Sequence, residues 1–213
     1  MRNPRLWLWL LPASIYLGFF AWYTNLSGPL DDVEIESFAT DLQAIGMDAP
    51  SIANLRRFMA EDTGAHFIMI NNLDLNESPP DLPATGADAS AGDLLGHYME
   101  HMYPAQFSRA CHPVFFGNVV FPAMDVSGIA GAELWDQGAL FRYRSRRDLM
   151  EIVANPAFNE RHDYKMGGLT KTIAYPVEAV LYYADVRFML ALVLLAATAL
   201  VDLMIYRRAS QLQ

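Results

Sequence analysis

WDQGALFRYRSRRDLMEIVANPAFNERHDYKMGGLTKTIAYP, residues 135–176, decides the fold. Gly138 to Arg144 is a short apolar and aromatic run in which Leu140 and Arg142 alternate with Phe141 and Tyr143, the period of a half-buried strand. Ser145-Arg-Arg-Asp148 matches a capping box, so a helix starts there with Leu149, Ile152 and Val153 on one face. Asn155-Pro156 stops it, because proline disfavours helical dihedrals in the residue before it. A second helical piece runs from about Ala157 to Met166 and ends on Gly167-Gly168, which suit a left-handed cap. Leu169 to Tyr175 closes the unit as a strand. The stretch is therefore strand, helix, helix, strand.

Upstream, Ala65 to Leu73 is apolar almost throughout and reads as a central strand. Asn76 to Gly92, rich in Pro, Ala, Asp and Gly, reads as an exposed loop. Ser90-Ala-Gly-Asp93 is a second capping box and opens a helix to about Phe107. Val114 to Phe121 is a strand, and Pro122 to Glu133 a glycine-bearing connection. The order is β-α-β-β-α-β, the split βαβ order of a ferredoxin-like α+β domain. Two amphipathic helices precede it, Asp31 to Ile45 and one from about Asp48 to Gly64, which carry the chain into the domain.

Both ends are apolar. Leu6 to Tyr23 holds no charge, and neither does Phe188 to Val201, whose helical pattern extends from about Val177 to Tyr206. Each approaches the roughly 20 apolar residues that span a bilayer, and no Ala-x-Ala cleavage site follows the first. The expected organisation is an N-terminal transmembrane anchor (1–25), a helical connector (26–64), the ferredoxin-like domain (65–176), and a C-terminal transmembrane helix with a short tail (177–213). Trp7, Trp9, Trp22 and Tyr23 mark the two interfaces of the first span. Ser14, Gly18 and Ala21 place small residues at the spacing that lets helices pack in lipid. Arg2 and Arg5 before the first span and Arg207 and Arg208 after the second put both termini in the cytoplasm by the positive-inside rule. The expected location is then a bacterial inner membrane, crossed twice, with a periplasmic domain.

Residues 25–186 carry 23 acidic and 10 basic side chains, a net charge of −13. That balance argues against nucleic-acid binding. The single cysteine, Cys111, excludes an internal disulfide and reads as a small buried side chain.

His97-Tyr-Met-Glu100-His101 is an H-x-x-E-H string, the inverted zincin arrangement of two histidines one helical turn apart with a glutamate to activate water. Glu178 sits too close to the second span to be a third ligand, and about 110 residues cannot house a peptidase of that kind. Helix phase puts Leu94, Leu95, Tyr98 and Met102 on the buried face, Glu100 nearly opposite, and His97 and His101 on an exposed flank. A solvated histidine pair and a metal site, completed by His162 or a partner chain, both remain open. No cofactor is expected apart from such a transition metal. Arg142 and Arg144 share one strand face and could bind an anionic group in a pocket with His66, Trp135 and His162. Alternatively, Arg142, Arg144, Arg146 and Arg147 pair with the domain's many carboxylates. Asp202, near the end of the second apolar run, can snorkel to the interface with Tyr206 and Arg207.

The Met69-x-Asn71 strand, the helix from Tyr98 to Pro104, and Trp135-Asp136 form a familiar series. Arg142-Tyr-Arg-Ser145, Asn155-Pro156-x-Phe158 and Gly167-Gly168-Leu169 continue it. In this order and spacing, residues 65–176 resemble the DUF1330 family of dimeric α+β-barrel domains, which is related to the antibiotic-biosynthesis monooxygenases. The resemblance implies a ferredoxin-like domain whose sheet pairs with that of a second copy. It supplies no catalytic residues. The flanking spans and Lys165, where the family pattern has arginine, depart from it. Anchoring at both ends and an incomplete catalytic set lead to the expectation of a membrane accessory or assembly subunit, acting as a homodimer or with other membrane subunits. The alternative is a monooxygenase-like or metal-dependent enzyme with a barrel pocket.

Overall fold

The computed structural model describes residues 4–210, the side chains of 207–210 excepted. In chain order the elements are α1 (Pro4–Tyr23), α2 (Asp32–Ala44), α3 (Ala49–Ala60), β1 (Phe67–Leu75), α4 (Ala91–Phe107), β2 (His112–Asn118), β3 (Gln137–Tyr143), α5 (Arg146–Val153), α6 (Pro156–Gly167), β4 (Leu169–Val177) and α7 (Val186–Ser210). They form two units. One holds the chain up to Leu26 and from Val180 on; the other is Ser27–Ala179.

The larger unit is α+β, built on an open four-stranded antiparallel sheet in the order β2-β3-β1-β4. β1 is one of the two central strands, in keeping with the apolar run Phe67 to Ile70 at its start. Its register pairs Phe67 with Tyr143 and Met69 with Phe141, so these side chains share one face of the sheet. Phe67 and Tyr143 stack with ring centroids 5.3 Å apart, and they join Leu94, Tyr98, Leu149, Ile152 and Tyr164 in the main core. A second core joins Ile35 and Leu42 of α2, Met59 of α3 and Met150 of α5, so the connector helices dock on the domain through α5.

Local chemistry sets the helix ends. Ser90 and Asp93 form the expected reciprocal box, and Asp31 and Glu34 form another at the start of α2. Ser145 caps only in one direction. Its Oγ accepts from the Asp148 amide, but the Asp148 carboxylate turns to the Ser145 hydroxyl (2.5 Å) and to Arg144, not back to the cap amide. Gly46, past α2, has the left-handed φ of +85° that favours glycine. The Gly167-Gly168 ending differs from the expected left-handed cap, since Gly168 has φ −76°. Space beside both glycines is tight. A Cβ on Gly167 would sit 3.1 Å from Pro80 Cγ and 3.2 Å from Leu94 Cδ2, and one on Gly168 would sit 3.1 Å from the Ala91 carbonyl oxygen.

Four boundaries move. α3 ends at Ala60, short of Gly64. α7 begins only at Val186, where the Asp185 carboxylate accepts from the Arg187 amide at 2.9 Å. β2 starts and stops earlier than Val114 to Phe121, because its register with β3 runs out at Asn118↔Gln137. The apolar Val119-Val120-Phe121 run therefore continues past the sheet into the connection.

Candidate functional site

The arginine-rich segment after β3 was one candidate anion site, and the structure uses each arginine to fasten a different piece of chain. Arg142, 1% exposed, donates to the Ala110 carbonyl at 2.8 Å, in the turn where Ala110 takes a φ of +56°. Arg144 grips Asp148 through Nε (2.9 Å) and Nη2 (2.5 Å). Arg146 donates to the Phe58 carbonyl and to Glu178 (3.2 Å) and lies over the Phe58 ring at 4.6 Å. Arg147 holds Glu34 at 2.6 and 2.8 Å and also reaches the carbonyls of Gly28 and Pro29. Its guanidinium keeps the Glu34 carboxyl below the usual glutamate range. The segment is a staple joining β3, α5, α3 and the start of α2.

Trp135 is not brought to Arg142. Trp135 precedes Gln137, which pairs with Leu73 near the far end of β1, whereas Arg142 pairs with Ile68. The five residues from Gln137 to Arg142 span about 16 Å of strand. Trp135 donates to the Ala132 carbonyl (2.8 Å) and takes the Lys171 ammonium 4.8 Å from its ring. His66 is half-buried just before β1. His162 packs on Phe158 within α6 (centroids 5.3 Å), its Nδ1 buried with no hydrogen-bond partner among the described residues. Burial, and then nearby Lys165, lower its pKa; burial also holds Lys165 below the ordinary lysine value.

His97 and His101 are half-buried rather than on an exposed flank. The α4 phase is right for Leu94, Tyr98 and Met102, which are buried, but α6 packs along the same side and covers the flank. The His97 ring sits 4.4 Å from Tyr164, and its Nδ1 lies 3.2 Å from Glu100, which Arg161 also approaches at 3.3 Å. His101 Nε2 is buried without a partner among the described residues. Among those residues no three His, Cys, Asp or Glu side chains are grouped as a metal shell would need. His162 therefore does not complete a site with the pair, and Glu178 is occupied by Thr63 (2.8 Å) and Arg146. Cys111 is fully buried, and burial pushes its thiol pKa up to about 12, which disfavours the reactive thiolate.

The smaller unit pairs α1 with α7. Both are long and apolar enough to cross a membrane, and only 6% and 11% of their apolar windows are buried. The helices run antiparallel, since contacts join opposite ends of the two. Arg5 near the start of α1 holds Asp202 near the end of α7 through Nε (2.9 Å) and Nη2 (2.7 Å). At the other end, Arg187 of α7 donates to the Thr24 hydroxyl at 3.0 Å. Asp202 is 7% exposed, so it pairs across the helices instead of snorkelling. The α1 positions shielded by α7 include Leu8, Pro12, Tyr16, Phe19 and Tyr23, one helical face by spacing. Ser14, Gly18 and Ala21 are exposed, and a Cβ on Gly18 would meet nothing within 4 Å. The small-residue stripe thus faces away from α7. Arg2 and the side chains of Arg207 and Arg208 lie outside the described residues.

Sequence reasoning missed the Arg5–Asp202 pair and the Lys171–Trp135 contact, which bridge residues far apart in the chain. The Asp31-x-x-Glu34 box was readable from its spacing.

No family model matches this chain. No curated protein matches it either. Among solved structures, one of a protein of unknown function from Rhodopseudomonas palustris is similar. It is 16% identical with a TM-score of 0.50, over 65% of this chain and 98% of its own. A structure of the methylated form of that protein is 17% identical with a TM-score of 0.52, over 65% and 96%. At these identities the likeness is one of α+β fold alone.

Proposed function

We propose that the chain is a membrane-anchored accessory or assembly subunit. Its α1/α7 hairpin crosses a bacterial inner membrane with both termini in the cytoplasm. It presents a periplasmic, ferredoxin-like domain of DUF1330 type that dimerises or joins a larger membrane complex. One observation carries this reading: two long apolar helices, almost wholly unburied, flank the domain and are tied head to tail by Arg5–Asp202 and Arg187–Thr24. Apolar helices of this length left open in the chain itself call for lipid or other spans to cover them. The β4-β1-β3-β2 order supports the ferredoxin-like assignment, and the basic flanks Arg2, Arg5, Arg207 and Arg208 support the orientation. The arginines of the presumed anion site are engaged in fastening the fold, which favours a binding role over a chemical one.

The test is purification of the full-length protein in mild detergent, with mass spectrometry and elemental analysis of the same peak. A stoichiometric membrane protein in that peak supports the assignment. A lone homodimer with about one metal per chain, lost in His97→Ala, would overturn it in favour of a metal-dependent protein.

A further inference from the structure

The connection between β2 and β3 is an ordered arm. At its base the Val119 amide donates to the Asp136 carbonyl (2.7 Å), and the Asp136 carboxylate accepts from the Leu75 amide (2.6 Å). Further out, the Ala123 amide donates to the Glu133 carbonyl (2.8 Å), and Lys171 reaches the Gly131 carbonyl while lying over Trp135. Gly128 and Gly131 take left-handed φ of +75° and +74° to make its turns.

This ordered arm is apolar on its outside. Of the 13 exposed large apolar side chains in Ser27–Ala179, eight fall between Phe115 and Leu134. Val120 is 95% exposed, Phe121 70% and Met124 93%. On edge strand β2, Phe115 and Phe116 are exposed as well, on opposite faces of the sheet. Contiguous exposed apolar surface of this kind marks interaction sites in proteins. Because the arm is already hydrogen-bonded, docking it costs little ordering entropy.

The sheet register fixes where the arm leaves the domain. The chain joins and leaves the domain at one end of the sheet, where Arg147 holds Gly28 and Pro29 and where Glu178 meets Thr63 and Arg146. That is the end of the Ile68↔Val177 pair, whereas the arm springs from the Asn118↔Gln137 end. The five steps along β1 between these ends span about 16 Å. Charge narrows the occupant. From Ala110 to Phe141 there is no lysine or arginine, only Asp125, Glu133 and Asp136. A second copy would present its own acidic domain to this arm, with like-charge repulsion.

We propose that the arm formed by residues 119–136 is the docking surface for a different protein that offers an apolar cleft rimmed by lysine or arginine. The proposal rests on the accessory role and names the face that performs it.

The experiment places a photo-crosslinking residue, Met124→benzoylphenylalanine, in the full-length chain in native membranes, with Val33→benzoylphenylalanine on α2, 79% exposed, as control. The expected result is one adduct with a non-self protein, mapped to an apolar segment beside lysine or arginine, from Met124 and not from Val33. Phe121→Ser with Met124→Ser should then cut recovery of that same protein with the full-length chain at least tenfold, the scale of losing central apolar anchors. An adduct of twice the chain mass would reassign the surface to self-association and overturn the proposal, as would a lipid adduct. A stoichiometric subunit that co-purifies but crosslinks only from Val33 would sink the arm while leaving the accessory role standing. No adduct and no subunit would sink both.

Discussion

Replacing Asp148 tests whether the arginine segment is structural. The carboxylate is 2% exposed and accepts two bonds from Arg144, at 2.9 and 2.5 Å, and one from the Ser145 hydroxyl at 2.5 Å. Breaking a fully buried pair costs about 3–5 kcal/mol, because the surviving charge is stranded. The Arg144 side chain keeps 26% of its exposure, so water recovers part of that loss and about 2 kcal/mol remains. Loss of an acidic group in the first turn of α5 adds ~0.5 kcal/mol. Asp148→Leu should therefore destabilise the protein by about 2–3 kcal/mol, and for a domain of this size that lowers Tm by roughly 4–12 °C. Arg144→Met with Asp148→Leu should recover more than 1 kcal/mol of the summed single losses, since an apolar pair strands nothing. Thermal melts of the full-length protein in mild detergent read both quantities. A single-variant loss under ~0.5 kcal/mol, typical of an exposed pair, would refute the structural role and return Arg144 to the pool of ligand-binding candidates.

Glu34 is held below its usual range by Arg147, so its stabilising share is present above about pH 4.3 and is lost as pH falls through the folded value. Stability of Glu34→Gln should accordingly fall less steeply than wild type between about pH 5 and 3, read as Tm against pH. His162 is shifted down by burial, so the unfolded chain takes the proton first. Its share is intact above about pH 6.5 and lost below it, and His162→Phe should flatten the Tm profile between about pH 7 and 5. An unchanged slope would contradict the burial. Cys111, with its thiol pushed up to about 12, should resist maleimide in the native protein and react once denaturant exposes it. In the hairpin, a disulfide between Ala13→Cys and Ala191→Cys, which line one groove of about 270 Å³ between α1 and α7, reports helix pairing. Asp202→Arg should lower its yield, and adding Arg5→Asp should restore it. A yield that ignores both changes would show that the ion pair does not hold the helices together.

Elements governed by short-range chemistry were legible in the sequence. The Ser90 and Ser145 caps, the Asn155-Pro156 break and the apolar β1 run each depend on residues a few positions apart, and each appears where those residues put it. Features that depend on what packs opposite were not. Alternation in β3 could not say that Arg142 would be buried against the Ala110 turn. Small-residue spacing in α1 identified a surface able to pack, but the rotation of the helix was set by Arg5 and Asp202, 197 residues apart, and by the bulky Pro12 and Tyr16 side. Gly167 and Gly168 were recognised as a helix ending, yet their reason is the close approach of α4 and Pro80.

The misplaced end of β2 carries the most functional weight. Val119-Val120-Phe121 reads as strand because β-branched and aromatic residues suit a pleated, half-buried surface. In the structure β3 has no residue left to pair with them, so the same residues stand out in solvent on an arm pinned by Trp135, Asp136 and Lys171. A sequence that kept such residues only for folding would place polar ones past Asn118, where exposed apolar side chains invite aggregation. Conflict between local propensity and the observed environment is the pattern expected of a surface shaped for a partner. The same logic applies to α1 and α7, whose apolar sides exceed what either helix can cover for the other. The chain therefore leaves two kinds of apolar surface open, one on helices of a length suited to lipid and one on a hydrogen-bonded arm of the sheet.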